Sequence, residues 1–223
     1  MKELTDKDLI HVRLRFFDLM KSFFVSQPDS ERLSRWRGTF AALAKDQITP
    51  EIDKAAGELN SQLTSKKLED LQDEYYALFT DPFSDNHLNM MASHYIDGRN
   101  FGNALIMLRQ FLHDNGITVD NALNDSDDSL YVMLDIMITL VEQEKNGDDT
   151  IDVQSELLNT FLLPFIAHLS VTAKENQAAY FYDCCIQFCR GYLNLEKSLA
   201  NNVKNKKEAN NHNNTTPNQQ IKK

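Results

Sequence analysis

Residues 74–79 read Glu-Tyr-Tyr-Ala-Leu-Phe, residues 93–99 Ser-His-Tyr-Ile-Asp-Gly-Arg and residues 108–112 Leu-Arg-Gln-Phe-Leu, ahead of Gly116-Ile117. Leu68, Leu71, Tyr75, Leu78 and Phe79 recur at three- and four-residue steps, the period of a helix with one apolar face. Asp81-Pro82 stops that helix, a short one is expected from about His87 to Tyr95, and Asp97-Gly98 turns the chain. Ala104 to Asn115 forms the next helix, closed by Gly116 in the position that favours a left-handed residue. Helices joined by tight turns, with no alternating run, set the fold class as all-α. The stretch also puts aromatic and apolar side chains beside a polar turn with no recognisable catalytic set, which points to a surface for gripping another polypeptide.

Outward from this stretch the helical pattern continues in both directions. Leu9, Val12, Phe16, Leu19, Met20 and Phe23 mark a helix from Leu4 to about Val25, closed by Pro28-Asp29-Ser30. A second, from Ser30 to Lys45, carries Leu33, Trp36, Phe40 and Leu43, and Thr49-Pro50-Glu51 starts a third that ends near Thr64. Asp120 to Asp128 is an acidic loop. A helix with Leu130, Met133, Leu134, Met137, Ile138 and Val141 follows from Ser129 to about Lys145, until Asn146-Gly147-Asp148 breaks it. An apolar helix over Val153 to Thr172 is expected to kink or split at Pro164. The last helix runs from about Lys174 to Leu199.

The 223 residues contain only 7 Gly and 5 Pro and are 42% hydrophobic, enough for one sizeable core. The expected organisation is a single-domain helical bundle over residues 1–200 and a disordered polar tail over 201–223, where Asn, Gln, Lys and Thr replace the apolar periodicity. The formal net charge is −10; five lysines against Glu208 give the tail +4, so the rest carries −14. That balance disfavours nucleic acid, whose binding depends on Lys and Arg displacing counterions, and favours a basic partner. Met1 to Asp8 shows no apolar leader core, and no stretch is read as approaching the roughly 18 uncharged apolar residues of a membrane span. A cytoplasmic protein without stable membrane insertion is expected. Cys184, Cys185 and Cys189 crowd one apolar segment, which suits reduced, buried thiols rather than a disulfide framework.

No Gly-rich phosphate loop, dinucleotide fingerprint, His-Glu-x-x-His, Gly-x-Ser-x-Gly or Cys-x-x-Cys pair is present. No cofactor or metal is expected, and the chain is read as a non-enzyme. His94 beside Tyr95 and Asp97 invites a general-base reading, but no nucleophile stands next to it. Asp127-Asp128-Ser129 ahead of an apolar run reads first as a helix N-cap with acids near the positive end of the dipole. Tyr75 and Phe79 fall on the core stripe, Tyr76 and Phe83 off it, and Met90 and Met91 offer adaptable surface.

The ordered set of motifs resembles the redox-enzyme maturation chaperones, the family of the trimethylamine N-oxide, dimethyl sulfoxide and nitrate reductase assembly proteins. The resemblance begins at Glu74 to Phe79 and runs through Ser93 to Arg99, Leu108 to Leu112 and Gly116-Ile117. It resumes at Asp128-Ser129-Leu130 through Met137, Phe161 to His168 and Phe181-Tyr182 to Glu196, and so covers roughly residues 70 to 200. One departure stands out: where the family has Asp-His, this chain has Asp128-Ser129. The resemblance implies a cytoplasmic chaperone that binds the precursor of a molybdenum (or tungsten) oxidoreductase of the dimethyl sulfoxide reductase superfamily. It would hold the twin-arginine leader or the apoenzyme until the cofactor is inserted and export is permitted. By position, the family's leader-binding surface falls on Tyr75, Leu78, Phe79, Met90, Met91, Ser93, Tyr95 and Asp128, with Ser129 beside it.

A twin-arginine leader carries two guanidinium groups ahead of an apolar segment, so a cleft for it needs carboxylates and aromatic or Met side chains. Asp97 and Asp128 are the expected arginine contacts. Alternatives from other classes are a small helical enzyme holding a nucleotide phosphate near Ser129, and a helical transcriptional regulator. A monomer is the simplest expectation, with exchange of C-terminal helices a route to dimers.

Overall fold

The computed structural model describes the backbone of residues 6–119 and 125–214 and the side chains of 7–119 and 125–201. Its elements are α1 (Asp6–Phe24), α2 (Ser30–Leu43), α3 (Pro50–Ser65), α4 (Leu68–Tyr75), α5 (Ala92–Asp97), α6 (Asn103–Asp114), α7 (Leu130–Asn146), α8 (Ile151–Glu156), α9 (Leu163–Glu175) and α10 (Phe181–Asn214). The chain is all-α, with no strand among the described residues; an antiparallel bridge pairs Met91 with Ser129.

Local chemistry starts each helix. The Asp29 carboxylate accepts from Arg32 N–H at 2.8 Å to cap α2, and Thr49 Oγ1 caps α3 through Ile52 N–H with Pro50 in the first turn. Packing then orders them. α1 lies along α7, while α10 packs against α3 and α9 and also touches α1, α4 and α8. The interior is aromatic: Phe17, Phe23, Trp36, Phe40, Phe181, Tyr182 and Phe188 are fully buried, and Trp36 Nε1–H donates to Ser22 Oγ at 2.9 Å. Truncating one of these rings to Ala costs about 3–5 kcal/mol. Arg13 crosses this core as a buried cation, held by Glu196, Glu144 and Gln154, and Tyr192 O–H donates to Glu196.

Several expectations change. The expected apolar helix is a continuous helical run, α8 and α9 joined by a π-helical stretch at Leu157–Leu162 just ahead of Pro164. Proline lacks an N–H and its ring crowds the carbonyl four residues back, so a locally wider turn absorbs it without breaking the run. The segment Ile151–Glu175 is long and apolar enough to cross a membrane by length and composition, contrary to the reading that no stretch approaches this, and half of its most apolar window is buried in the body.

The short helix placed at His87–Tyr95 lies instead at Ala92–Asp97. Residues 87–91 are extended because Leu88 N–H bonds to Leu78 O and Met91 pairs with Ser129. The last helix starts at Phe181, not Lys174, after Asn176 turns the chain by accepting from Ala178 N–H and donating to Asn86 O. It runs past Leu199 to Asn214. Of the expected tail, residues 215–223 lie outside the described residues, as do 120–124 of the acidic loop. The three cysteines are free and buried.

Candidate functional site

The Glu-Tyr-Tyr-Ala-Leu-Phe stretch is a structural hub before it is a surface. Glu74, nearly buried, receives Lys66 Nζ at 2.6 Å on one oxygen and the N–H groups of Tyr180 and Tyr182, each at 2.9 Å, on the other. A carboxylate at a helix start satisfies orphan amides and complements the dipole. Tyr75 O–H donates to Phe24 O at 3.1 Å, and burial pushes its phenol pKa up, so it stays a donor at neutral pH. After Tyr75 the helix widens into a π-helical turn, Tyr76–Thr80, closed by Asp81 N–H on Tyr76 O at 2.8 Å. That turn buries Leu78 completely and leaves Phe79 partly buried, edge-on to Tyr75, Phe24 and Tyr182.

Beside Phe79 opens a cavity of about 260 Å³. Its walls are Phe24 and Val25 from the end of α1, Tyr75 and Phe79, the extended residues His87 to Met91, Asn100, and Asp125, Ser129 and Tyr131 around the start of α7. Five of the sequence-predicted residues meet here: Tyr75, Phe79, Met90, Met91 and Ser129. The register that assembles them comes from Leu130 N–H on Met90 O at 3.0 Å and Ala92 N–H on Asp128 O at 2.9 Å.

The other five serve elsewhere. Asp128 is 1% exposed; its Oδ2 accepts from Ser93 N–H at 2.8 Å and its Oδ1 from Ser126 Oγ–H. It caps α5, across 35 residues of sequence, rather than the helix that follows it. Ser93 is fully buried, and its Oγ accepts from Phe101 N–H at 3.0 Å. Asp97 Oδ2 accepts from Ala104 N–H at 2.7 Å and so caps α6. The two carboxylates expected to meet arginine are thus engaged in holding helices. Tyr95 packs on Phe165 with ring centroids 5.6 Å apart, away from the cavity, and burial pushes its phenol up to about 12. Leu78 is core.

Sequence reasoning missed Asp125 and Tyr131. Asp125 is exposed at the cavity and accepts a short hydrogen bond from Tyr131 O–H, whose pKa is raised by burial and then by this carboxylate. Ser129, at the N-cap position of α7, makes no capping bond through its side chain. Its Oγ is buried and makes no hydrogen bond of acceptable geometry, although it lies close enough to Tyr131 to lower that phenol's pKa a little. No signal short of the fold would have paired Asp125 with Tyr131, because the acidic loop reads as a solvated run. The start of α7 is also a poor phosphate cradle: Ser129 N–H and Leu130 N–H are taken by Ser126 O and Met90 O, and Asp125, Asp127 and Asp128 surround it.

A larger groove of about 530 Å³ between α1 and α2, lined by Val12, Phe16, Leu19 and Leu43 with Arg15 and Arg35 among its charged residues, contains none of the predicted residues. Among the described residues no group of three or more His, Cys, Asp or Glu is placed to hold a metal. Compared with known families, residues 45–170 match the model of the nitrate reductase delta subunit. That span runs from the end of α2 to α9 and includes every wall of the 260 Å³ cavity except Phe24 and Val25.

Proposed function

Because this chain belongs to the nitrate reductase delta subunit family, a family of molybdoenzyme assembly chaperones, we propose that its client is the precursor of a dimethyl sulfoxide reductase-superfamily catalytic subunit and that the Phe79 cavity holds the client's N-terminal leader. The chaperone performs no reaction; it keeps the precursor in the cytoplasm until cofactor insertion, and release then permits export through the twin-arginine route. The observation that carries this reading is the convergence of Tyr75, Phe79, Met90, Met91 and Ser129 on one cavity. Those residues come from three separated stretches of the sequence.

Aromatic rings and thioethers at an opening suit the apolar part of a leader, which varies between clients, because Met adapts its rotamers to different partners. An acidic body also accelerates encounter with a basic leader, an effect that weakens as salt rises. Titration calorimetry with leader peptides, and with the intact apoenzyme, of the molybdoenzymes encoded in the same genome tests the proposal. Binding of one of them is expected. Failure to bind any precursor would remove it.

A further inference from the structure

Among the described residues the buried or half-buried arginines and lysines are Arg13, Lys21, Arg32, Lys66 and Arg190. The first four are paired with carboxylates: Arg13 with Glu144 and Glu196, Lys21 with Asp135, Arg32 with Asp29 and Lys66 with Glu74. Arg190 has no such partner among the described residues. Its one hydrogen bond runs from Nη1 to Ser170 Oγ at 3.3 Å. A guanidinium drawn partly out of water without a counter-charge is costly, and it keeps most of its five donors open.

Arg190 opens into a cleft of about 420 Å³ between the start of α3, the end of α9 and α10. Lys54 and Lys174 line the same cleft. Lys54 approaches Glu58 only at 3.9 Å, and Lys174 is exposed with no ion pair among the described residues. The carboxylates in the wall are turned to other groups: Asp183 Oδ1 accepts from Gln187 Nε2 at 2.8 Å, Glu51 accepts from Asn194 at 3.4 Å, and Glu58 faces Lys54. The volume falls within the roughly 300–1,000 Å³ of small-ligand pockets. The cleft shares no lining residue with the cavity beside Phe79.

From this arrangement we infer that the cleft is a separate binding site for a carboxylate group, which Arg190 holds by both oxygens through its planar fork while Lys174 adds a second positive charge. The wall selects carboxylate over phosphate. Glu51, Glu58 and Asp183 already balance Lys54, Lys174 and Arg190, so the site accepts one further negative charge and repels the roughly −1.5 to −2 of a phosphate ester. A small organic acid and an acidic side chain of a peptide offer the same group. The inference stands apart from the peptide-holding reading above and does not depend on it.

The test follows the Gln187 side-chain amide by NMR in the isotope-labelled full chain, because Gln187 lines the cleft and is retained in every variant. The probes are N-acetylglycine, its neutral amide N-acetylglycinamide, the peptide acetyl-Ala-Glu-Ala-amide and inorganic phosphate. A saturable shift with at least one of the two carboxylates is expected, with a response at least tenfold weaker to the neutral amide and to phosphate. Which carboxylate shifts the resonance identifies the source, small acid or protein side chain. Arg190→Gln should abolish the shift and, without probe, melt at or above the wild-type temperature, because it removes an unpaired charge. Lys174→Gln, at an exposed position, should weaken the shift severalfold with the melt unchanged, which keeps the test decisive if Arg190→Gln folds poorly. No saturable shift with either carboxylate, equal responses to N-acetylglycine and its amide, a phosphate response as strong as the carboxylate's, or an unchanged shift in both variants overturns the inference. Each of those results leaves the client reading intact.

Discussion

Ser93 N–H donates a 2.8 Å hydrogen bond to Asp128 Oδ2, and this bond locks the start of α5 to the residue pair that opens α7. Together with the bridge between Met91 and Ser129 it fixes how Met90 and Met91 stand over the cavity. The buried carboxylate is therefore a positioning group for the proposed peptide site.

Asp128→Ala should destabilise the fold by about 1–3 kcal/mol, the cost of leaving buried amide and hydroxyl donors unpaired. Denaturant titration measures it. The same variant should keep at least part of its peptide affinity at temperatures where it remains folded. A variant of wild-type stability that had lost all peptide binding would mean that Asp128 touches the ligand.

Glu74→Gln should weaken the docking of α10, because the amide keeps the shape but loses the charge that meets Lys66 and the N–H groups of Tyr180 and Tyr182. Hydrogen bonds to charged groups contribute about 1.5–3 kcal/mol each, so a loss of about 2 kcal/mol is expected. Amide exchange in the first turn of α10 should rise ahead of exchange in α3.

Gly102→Ala tests the turn between α5 and α6. A Cβ there would stand 2.4 Å from Asp97 Oδ2, inside any allowed contact, so Asp97 must leave Ala104 N–H. The preceding Phe101 is 64% exposed with φ +57°, a left-handed conformation that costs a non-glycine residue about 1 kcal/mol. Losing the cap and shifting this strained turn should lower stability by about 1–2 kcal/mol. If the steric conflict is the cause, the two substitutions are not additive: Gly102→Ala should cost little further stability in an Asp97→Ala background, where the clashing carboxylate and its cap are already gone.

Alkaline pH should destabilise the protein through its buried thiols and phenols. Burial raises Cys184 from 9.0 to about 12 and Tyr95 from 10.0 to about 12. The folded pKa values lie above the unfolded ones, so the unfolded chain releases protons first. Stability is thus fully present below about pH 9 and falls as pH rises towards 12, each group steepening the slope by up to about 1.4 kcal/mol per pH unit. Urea midpoints from pH 7 to 10.5 measure it. A thiol reagent at pH 8 should also modify the cysteines at the rate of opening and not at that of a free thiol.

The helices themselves were legible in the sequence because their signals are local. Thr49-Pro50 caps α3, Asp29 caps α2 and Gly147, with φ +105°, ends α7, all where residue type alone predicts. What could not be read was capping across the chain. Asp128 looks like the N-cap of its own helix and caps α5 instead, Glu74 looks like one more charge on α4 and starts α10, and Asp97 holds α6. Five of the ten residues expected at the site, Tyr75, Phe79, Met90, Met91 and Ser129, line one cavity, and the pairing of residues 90–92 with 128–130 brings the last three together. Asp125 and Tyr131 stayed hidden because their partnership exists only once α7 is placed.

The central claim, that the cavity beside Phe79 holds the leader of a molybdoenzyme precursor, is tested most directly by placing a photo-crosslinking amino acid at position 90 and, as a control, at position 106 on the exposed face of α6. After irradiation of cells expressing the client, the crosslinked peptide is sequenced by mass spectrometry. The account predicts that position 90 captures the N-terminal leader of a molybdoenzyme catalytic subunit and that position 106 does not. Capture of the leader from position 106 alone, or of only mature-region peptides from position 90, would contradict it.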